Sequence, residues 1–149
     1  MLFDFDYMST FNFIFSVFTI SCAVILIFNG LYKIIFGLWS KSWPTAEGKV
    51  SFLDYKTTQK YYIPKMKYEY MVQNKKYISR RIAFGVIQFE YKNKANSFLK
   101  DAKNKESIEV RYNPYMQSMS VLIPGLNPDS LHLIAAGLLF LFCFIGFVT

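Results

Sequence analysis

Histidine is all but absent: His132 is the only one in 149 residues. Ser-His and Cys-His hydrolytic arrangements need a base beside the nucleophile, and one His at the mouth of an apolar terminal segment does not supply it. Cysteine is nearly as scarce. Cys22 and Cys143 each fall inside an apolar stretch, so neither a disulfide framework nor a zinc cluster is expected. No glycine-rich phosphate loop occurs. The acids Glu47, Asp54, Glu69, Glu90, Asp101, Glu106 and Glu109 are scattered among lysines and form no pair with an acid–base signature. Basic residues are missing from both ends, because all 17 Lys and Arg lie between Lys33 and Arg111. These absences predict a protein that is not an enzyme, with no cofactor, no metal and no evident small-molecule substrate.

What the ends do contain is apolar. Phe11 to Tyr32 holds no Asp, Glu, Lys or Arg. As a helix it would span about 33 Å, enough for a bilayer core of about 30 Å. A core helix of a water-soluble domain would carry a polar stripe, and this one has none. Leu131 to Val148 gives a second, shorter span of about 27 Å. The expected organisation is a tail over residues 1–10, a transmembrane helix over 11–37, a β-rich domain over 43–125 and a second transmembrane helix over 130–149. The acidic start, Asp4 and Asp6, and the long apolar core argue against a cleaved signal peptide, so the first helix is expected to be retained. Trp39 and Trp43, with Lys33 and Lys41, read as anchors at the membrane interface. Lysines follow the first span closely and acids precede it, which puts the central domain in the cytoplasm and both termini outside.

Small residues recur along the first helix at intervals of seven: Ser16, Ala23, Gly30 and Gly37. Seven residues nearly close two turns, so these form a seam along which another helix can approach. Ala136, Cys143 and Gly146 lie on one face of the second span. That span is the expected partner of the seam, with a second copy or a foreign helix as alternatives.

The middle alternates. Tyr62, Pro64, Met66, Tyr68, Tyr70 and Val72 fall on one side of a strand, with Lys65, Lys67 and Glu69 on the other. Glu47 to Tyr55 is the expected strand before it. Gln73-Asn74-Lys75 is a turn, and Lys76 to Ile82 the return strand. Asn93 to Asn104 repeats apolar residues at helical spacing. Ser107 to Tyr112 and Ser118 to Ile123 read as two further strands. The fold class is therefore α+β: two transmembrane helices flanking a small antiparallel sheet with one helix. Tyrosines on one face and lysines on the other mean core and solvent, which argues against base stacking and hence against nucleic acid. Lys75, Lys76, Arg80 and Arg81 are the densest basic group, a candidate contact for anionic lipid or a protein partner.

Trp43 with Gly48 and Val50, the run Tyr62-x-Pro64-x-Met66-x-Tyr68-x-Tyr70-x-Val72, Tyr77, Gly85, Tyr112-Asn113-Pro114, and Val121-Leu122 with Pro124-Gly125 follow one another in a known order. In these the chain resembles domain-of-unknown-function family 3592, small bacterial two-helix membrane proteins. The resemblance runs from about Trp43 through the second span. It implies two spans flanking a β-rich domain in the bacterial inner membrane and implies no reaction. Asn74 stands where the family's hairpin usually has Gly. Gln117 stands where a second Pro usually follows the Asn-Pro turn, which predicts a less rigid last loop. The expected role is a non-enzymatic integral membrane protein that binds a protein partner, forms a homo-oligomer, or docks on the lipid bilayer. The alternatives are an immunity or accessory protein that neutralises a membrane-acting toxin, and a small subunit of an oligomeric transporter or envelope complex.

Overall fold

The proline-free run from Asp4 onward folds as one helix, α1 (Asp4–Trp39, 36 residues). In this computed structural model, residues 4–148 are described, with side chains for residues 10 and 12–144. Residues 1–10 are therefore not a tail beyond position 3: Asp4 to Thr10 is helical. No Gly or Pro interrupts that stretch. A short 3-10 turn, Ser40–Ser42, ends α1, and Pro44 follows it. The strands are β1 (Thr45–Thr57), β2 (Tyr62–Val72), β3 (Lys75–Ser79), β4 (Ile108–Tyr112) and β5 (Ser120–Val121). Helix α2 (Lys92–Asn104) separates β3 from β4, and α3 (Pro128–Val148) ends the order.

The chain divides into two compact units: the portion up to Lys33 together with the portion from Pro128, and residues 34–127. In the first, α1 and α3 pack side by side. In the second, the five strands form one antiparallel sheet in the order β3-β2-β1-β4-β5.

Alternation in β2 decides which face of the sheet is covered. Pro64, Met66, Tyr68, Tyr70 and Val72 are buried, while Lys65 and Met71 are exposed. Ile82, Ile108 and Val110 complete this core, with Phe98 and Ala102 of α2 packed against it. Pro64 has no amide to donate, and it lies where β2 has passed the end of β3, which pairs only with Tyr68–Val72. The β2–β3 turn is Gln73 and Asn74, with φ of 51° and 60°. Two successive left-handed residues match the twist of a hairpin, and Asn tolerates that region better than most residues.

Several boundaries differ from those the pattern suggests. β1 is longer at both ends than Glu47–Tyr55, and β3 stops at Ser79 rather than Ile82. The last strand shrinks to two residues, because Leu122 and Ile123 donate their amides to the Ile82 carbonyl instead. Trp43 is not an interface anchor: it is 2% exposed. Its indole sits edge-on to Phe84 at 5.8 Å and to Trp39 at 5.7 Å, closing a second core cluster with Val121. Among the described residues only the helical run Asn12–Ser42, α1 with the turn that ends it, is long and apolar enough to cross a membrane; the described part of α3, Pro128–Phe144, is apolar and shorter.

Candidate functional site

In the helix-pair unit, packing follows small residues. Ala23 and Gly30 of α1 are buried and Ser16 is partly so. A methyl group added at Gly30 would lie 2.5 Å from Ile134 Cγ1 and 3.0 Å from the Ser130 carbonyl oxygen. A methyl added at Gly137 would meet Ile27 Cγ1 at 2.6 Å and the Ala23 carbonyl oxygen at 3.0 Å. The close approach on α3 thus falls on Ser130 and Gly137, one position round from the expected face. Ala136 is half-buried, Cys143 is exposed, and Gly146 lies outside the residues with described side chains. Ser130 and Gly137 are themselves seven apart, a signal that the sequence does carry. Lys33 and Asp129 join the two helices through an ion pair of 2.9 Å. His132 is exposed.

Gly37 meets a different segment. It belongs to the sheet unit, where its carbonyl accepts the Gly125 amide at 2.9 Å and the Ser40 hydroxyl at 2.6 Å. The turn holding Gly125, at φ 115°, presses against this point, so the seven-residue repeat changes partner at its last member.

The four basic residues at β3 are not one patch. Lys75 lies over the Tyr77 ring, and Lys76 pairs with Glu69 at 2.6 Å. Arg81 lies over the Phe84 ring, half-buried, while Arg80 is exposed. Period two in β3 sends Lys75 and Lys76 to opposite faces, and the chain leaves the sheet at Ser79, before either arginine. A common anionic contact for all four is not what this arrangement builds.

The tyrosines make a polar network beneath the loop that follows β4. Tyr68 donates its hydroxyl to the Arg81 carbonyl at 2.7 Å and lies 3.1 Å from the Ser120 hydroxyl. Tyr70 donates to the Gln117 carbonyl, and Tyr77 to Gln117 Oε1 at 2.8 Å. The Gln117 side-chain amide donates to Gln73 Oε1 at 3.3 Å. Gln117 therefore ties the last loop down, where the missing proline had suggested looseness. No sequence period points to this role, because it depends on three separate segments meeting.

Burial pushes the Tyr68 phenol above its usual range, with the Ser120 hydrogen bond opposing, and burial does the same to Tyr70. As pH rises past about 10, unfolded chains lose these protons before folded ones do. The contribution to stability is thus complete below about pH 10 and is lost as pH climbs through the raised folded values. Urea midpoints between pH 8 and pH 11 are expected to fall more steeply in the native protein than in a Tyr68→Phe/Tyr70→Phe variant. Parallel curves would contradict this.

Among the described residues no group of His, Cys, Asp and Glu is arranged to hold a metal ion. No curated protein and no solved structure matches the chain. A family model described as a domain of unknown function (DUF3592) matches residues 46–127, which include all of β2, β3, α2, β4 and β5. That match covers more than half of the sequence and takes in the tyrosine strand, the network above it and the Pro124–Gly125 turn: the chain belongs to the DUF3592 family.

Proposed function

We propose that the chain is a multi-pass protein of the bacterial inner membrane, without enzymatic activity, whose sheet unit engages a protein partner. One observation carries the membrane assignment: α1 turns large apolar side chains outward along its length. Phe13, Phe18 and Phe28 are 66–69% exposed, and few of the helix's apolar residues are buried. A core helix would hide these groups, and in water each would forgo roughly 1.5–3 kcal/mol of burial. The polar groups of α1 agree with an apolar solvent. Ser16, Thr19, Ser21 and Asn29 each donate to the backbone carbonyl four residues earlier. In lipid such self-satisfaction is needed, because no water is present to supply partners.

A secretory leader would share the apolarity of α1 but would be removed. The packing of Gly30 and Gly137 argues for retention, since α3 would lose its companion on cleavage. On this reading α3 is the return span, its Leu138, Leu139 and Phe142 facing lipid, and the sheet unit lies in the cytoplasm.

Alkaline carbonate washing of membranes, with mass measurement of the retained protein, tests the anchor. The expected result is an uncleaved chain that stays in the pellet. A periplasm-active reporter is expected to be active at Thr149 and silent within residues 92–105. Release by carbonate, or a mature chain lacking residues 1–33, would overturn the anchoring. An active reporter within residues 92–105 would reverse the orientation.

A further inference from the structure

β1 outruns its neighbour. On one side β2 accompanies it from Gly48 to Thr57, but on the other β4 pairs only with Thr45–Gly48. From Lys49 onward that side has no strand beside it, and no backbone partner is found there among the described residues. Farther along, the Tyr55 amide is taken by the Asp54 carboxylate at 2.8 Å. The segment Lys49–Leu53 is thus an open sheet edge within the domain.

This edge borders a groove of about 1170 Å³, whose far wall is α2 and the chain leading into β4. Small-molecule pockets hold about 300–1,000 Å³ and enclose their ligand, whereas this groove is larger and open. Phe52, 52% exposed, and the half-buried Leu99 give it an apolar lining. Its charged groups are Lys49, Lys100, Lys103 and Lys105 against Glu47 and Glu106, a balance of four to two. None of the six is ion-paired among the described residues.

We infer that the β1 edge at Lys49–Leu53 takes up an extended acidic segment of a partner protein as an added strand. This rests on the reading of the sheet unit as an interaction module. An added strand sits about 4.8 Å from its neighbour, and main-chain hydrogen bonds supply affinity while alternate side chains supply specificity. Carboxylates on the α2 side of the incoming strand meet Lys100 and Lys103; apolar residues on the other side lie on Phe52, which the bulge at Ser51 puts on the same solvent face of β1 as Lys49. Charge selects this occupant over a second copy of the chain. Two copies meeting edge to edge would bring both sets of lysines together, and lysines on an open edge deter such self-pairing. The bulge between Val50 and Phe52 keeps the added strand short, since pairing is disrupted at the extra residue, Ser51.

The test uses the full chain in detergent micelles and a fluorescent peptide of alternating Glu and Val, read by anisotropy. Saturable binding is expected. At least tenfold weaker binding is expected for the same peptide with Lys in place of Glu, for one N-methylated at alternate amides, and for the protein variant Lys100→Glu/Lys103→Glu. Both substituted lysines are exposed, so the fold is retained, and a Lys60→Glu/Lys94→Glu variant outside the groove is expected to bind as the native protein does. Absence of saturable binding overturns the proposal. So does binding that survives N-methylation, which would be charge attraction without strand addition. A chain that leaves carbonate-washed membranes yet binds the peptide would end the membrane assignment alone; a retained chain that ignores the peptide would end the edge site alone.

Discussion

Replacing Tyr68 by Ala is expected to destabilise the sheet unit by about 3–5 kcal/mol, the range for removing a fully buried aromatic ring. Tyr68 is completely buried, its ring 6.1 Å from that of Tyr70. It stands at the centre of β2, between Met66 and Tyr70 in the buried row. Truncation removes the ring's contacts and also leaves the Arg81 carbonyl and the Ser120 hydroxyl short of a partner. Tyr68→Phe separates the two effects. It keeps the ring and forfeits only the hydroxyl, at about 1–3 kcal/mol for groups left unpaired. Urea unfolding in micelles, followed by fluorescence of Trp43 in the adjoining cluster, gives both numbers. Equal losses for Ala and Phe would mean that the hydroxyl, and not ring packing, holds the sheet to its loops.

Gly30→Leu is expected to force α1 and α3 apart, at about 2–3 kcal/mol. Overpacking of a close-packed contact costs about 1–3 kcal/mol, and here one obstacle is backbone, which yields less than a side chain. The added Cβ would lie 2.5 Å from Ile134 Cγ1 and 3.0 Å from the Ser130 carbonyl oxygen. In the bilayer setting proposed above there is no hydrophobic drive to bring helices back together, so association would depend on this fit. Leu138→Ala, at an exposed position of α3, is expected to change little. Thermal melting in micelles, read by far-ultraviolet circular dichroism, compares the two. A Gly30→Leu protein as stable as the Leu138→Ala control would show that the small residues are incidental.

How much of this was visible beforehand depended on whether a residue's role is set by its near neighbours. The β2 row was visible because period two persists from Tyr62 to Val72 and the two faces differ in polarity. α1 was visible because charge is missing from so long a run. Spacing points to Ala136 on α3, whereas the close contact falls one residue on, at Gly137. A helix apolar on all sides offers no polar stripe to set its phase, so only the small residues can. Trp43 departs from its expected place for a related reason. Beside an apolar helix a Trp resembles an anchor, and only the arrival of Phe84 and Val121 from distant segments buries it. Gln117 and the open edge of β1 lay further out of reach. The first needs Tyr70, Tyr77 and Gln73 gathered around it. The second follows from where β4 stops, which neither strand's own sequence states.

The order β3-β2-β1-β4-β5 bears on how the polypeptide matures during synthesis. The first three strands are consecutive, and each lies beside its sequence neighbour. Such local meanders close small loops and assemble quickly, so this half of the sheet can form once Ser79 has emerged from the ribosome. β4 arrives only after α2 has been made, and until then β1 is bare along the whole side that it later shares at four residue pairs. The nascent chain therefore passes through a stage in which its longest strand is most open to foreign pairing, and a chaperone would act to best effect in that interval.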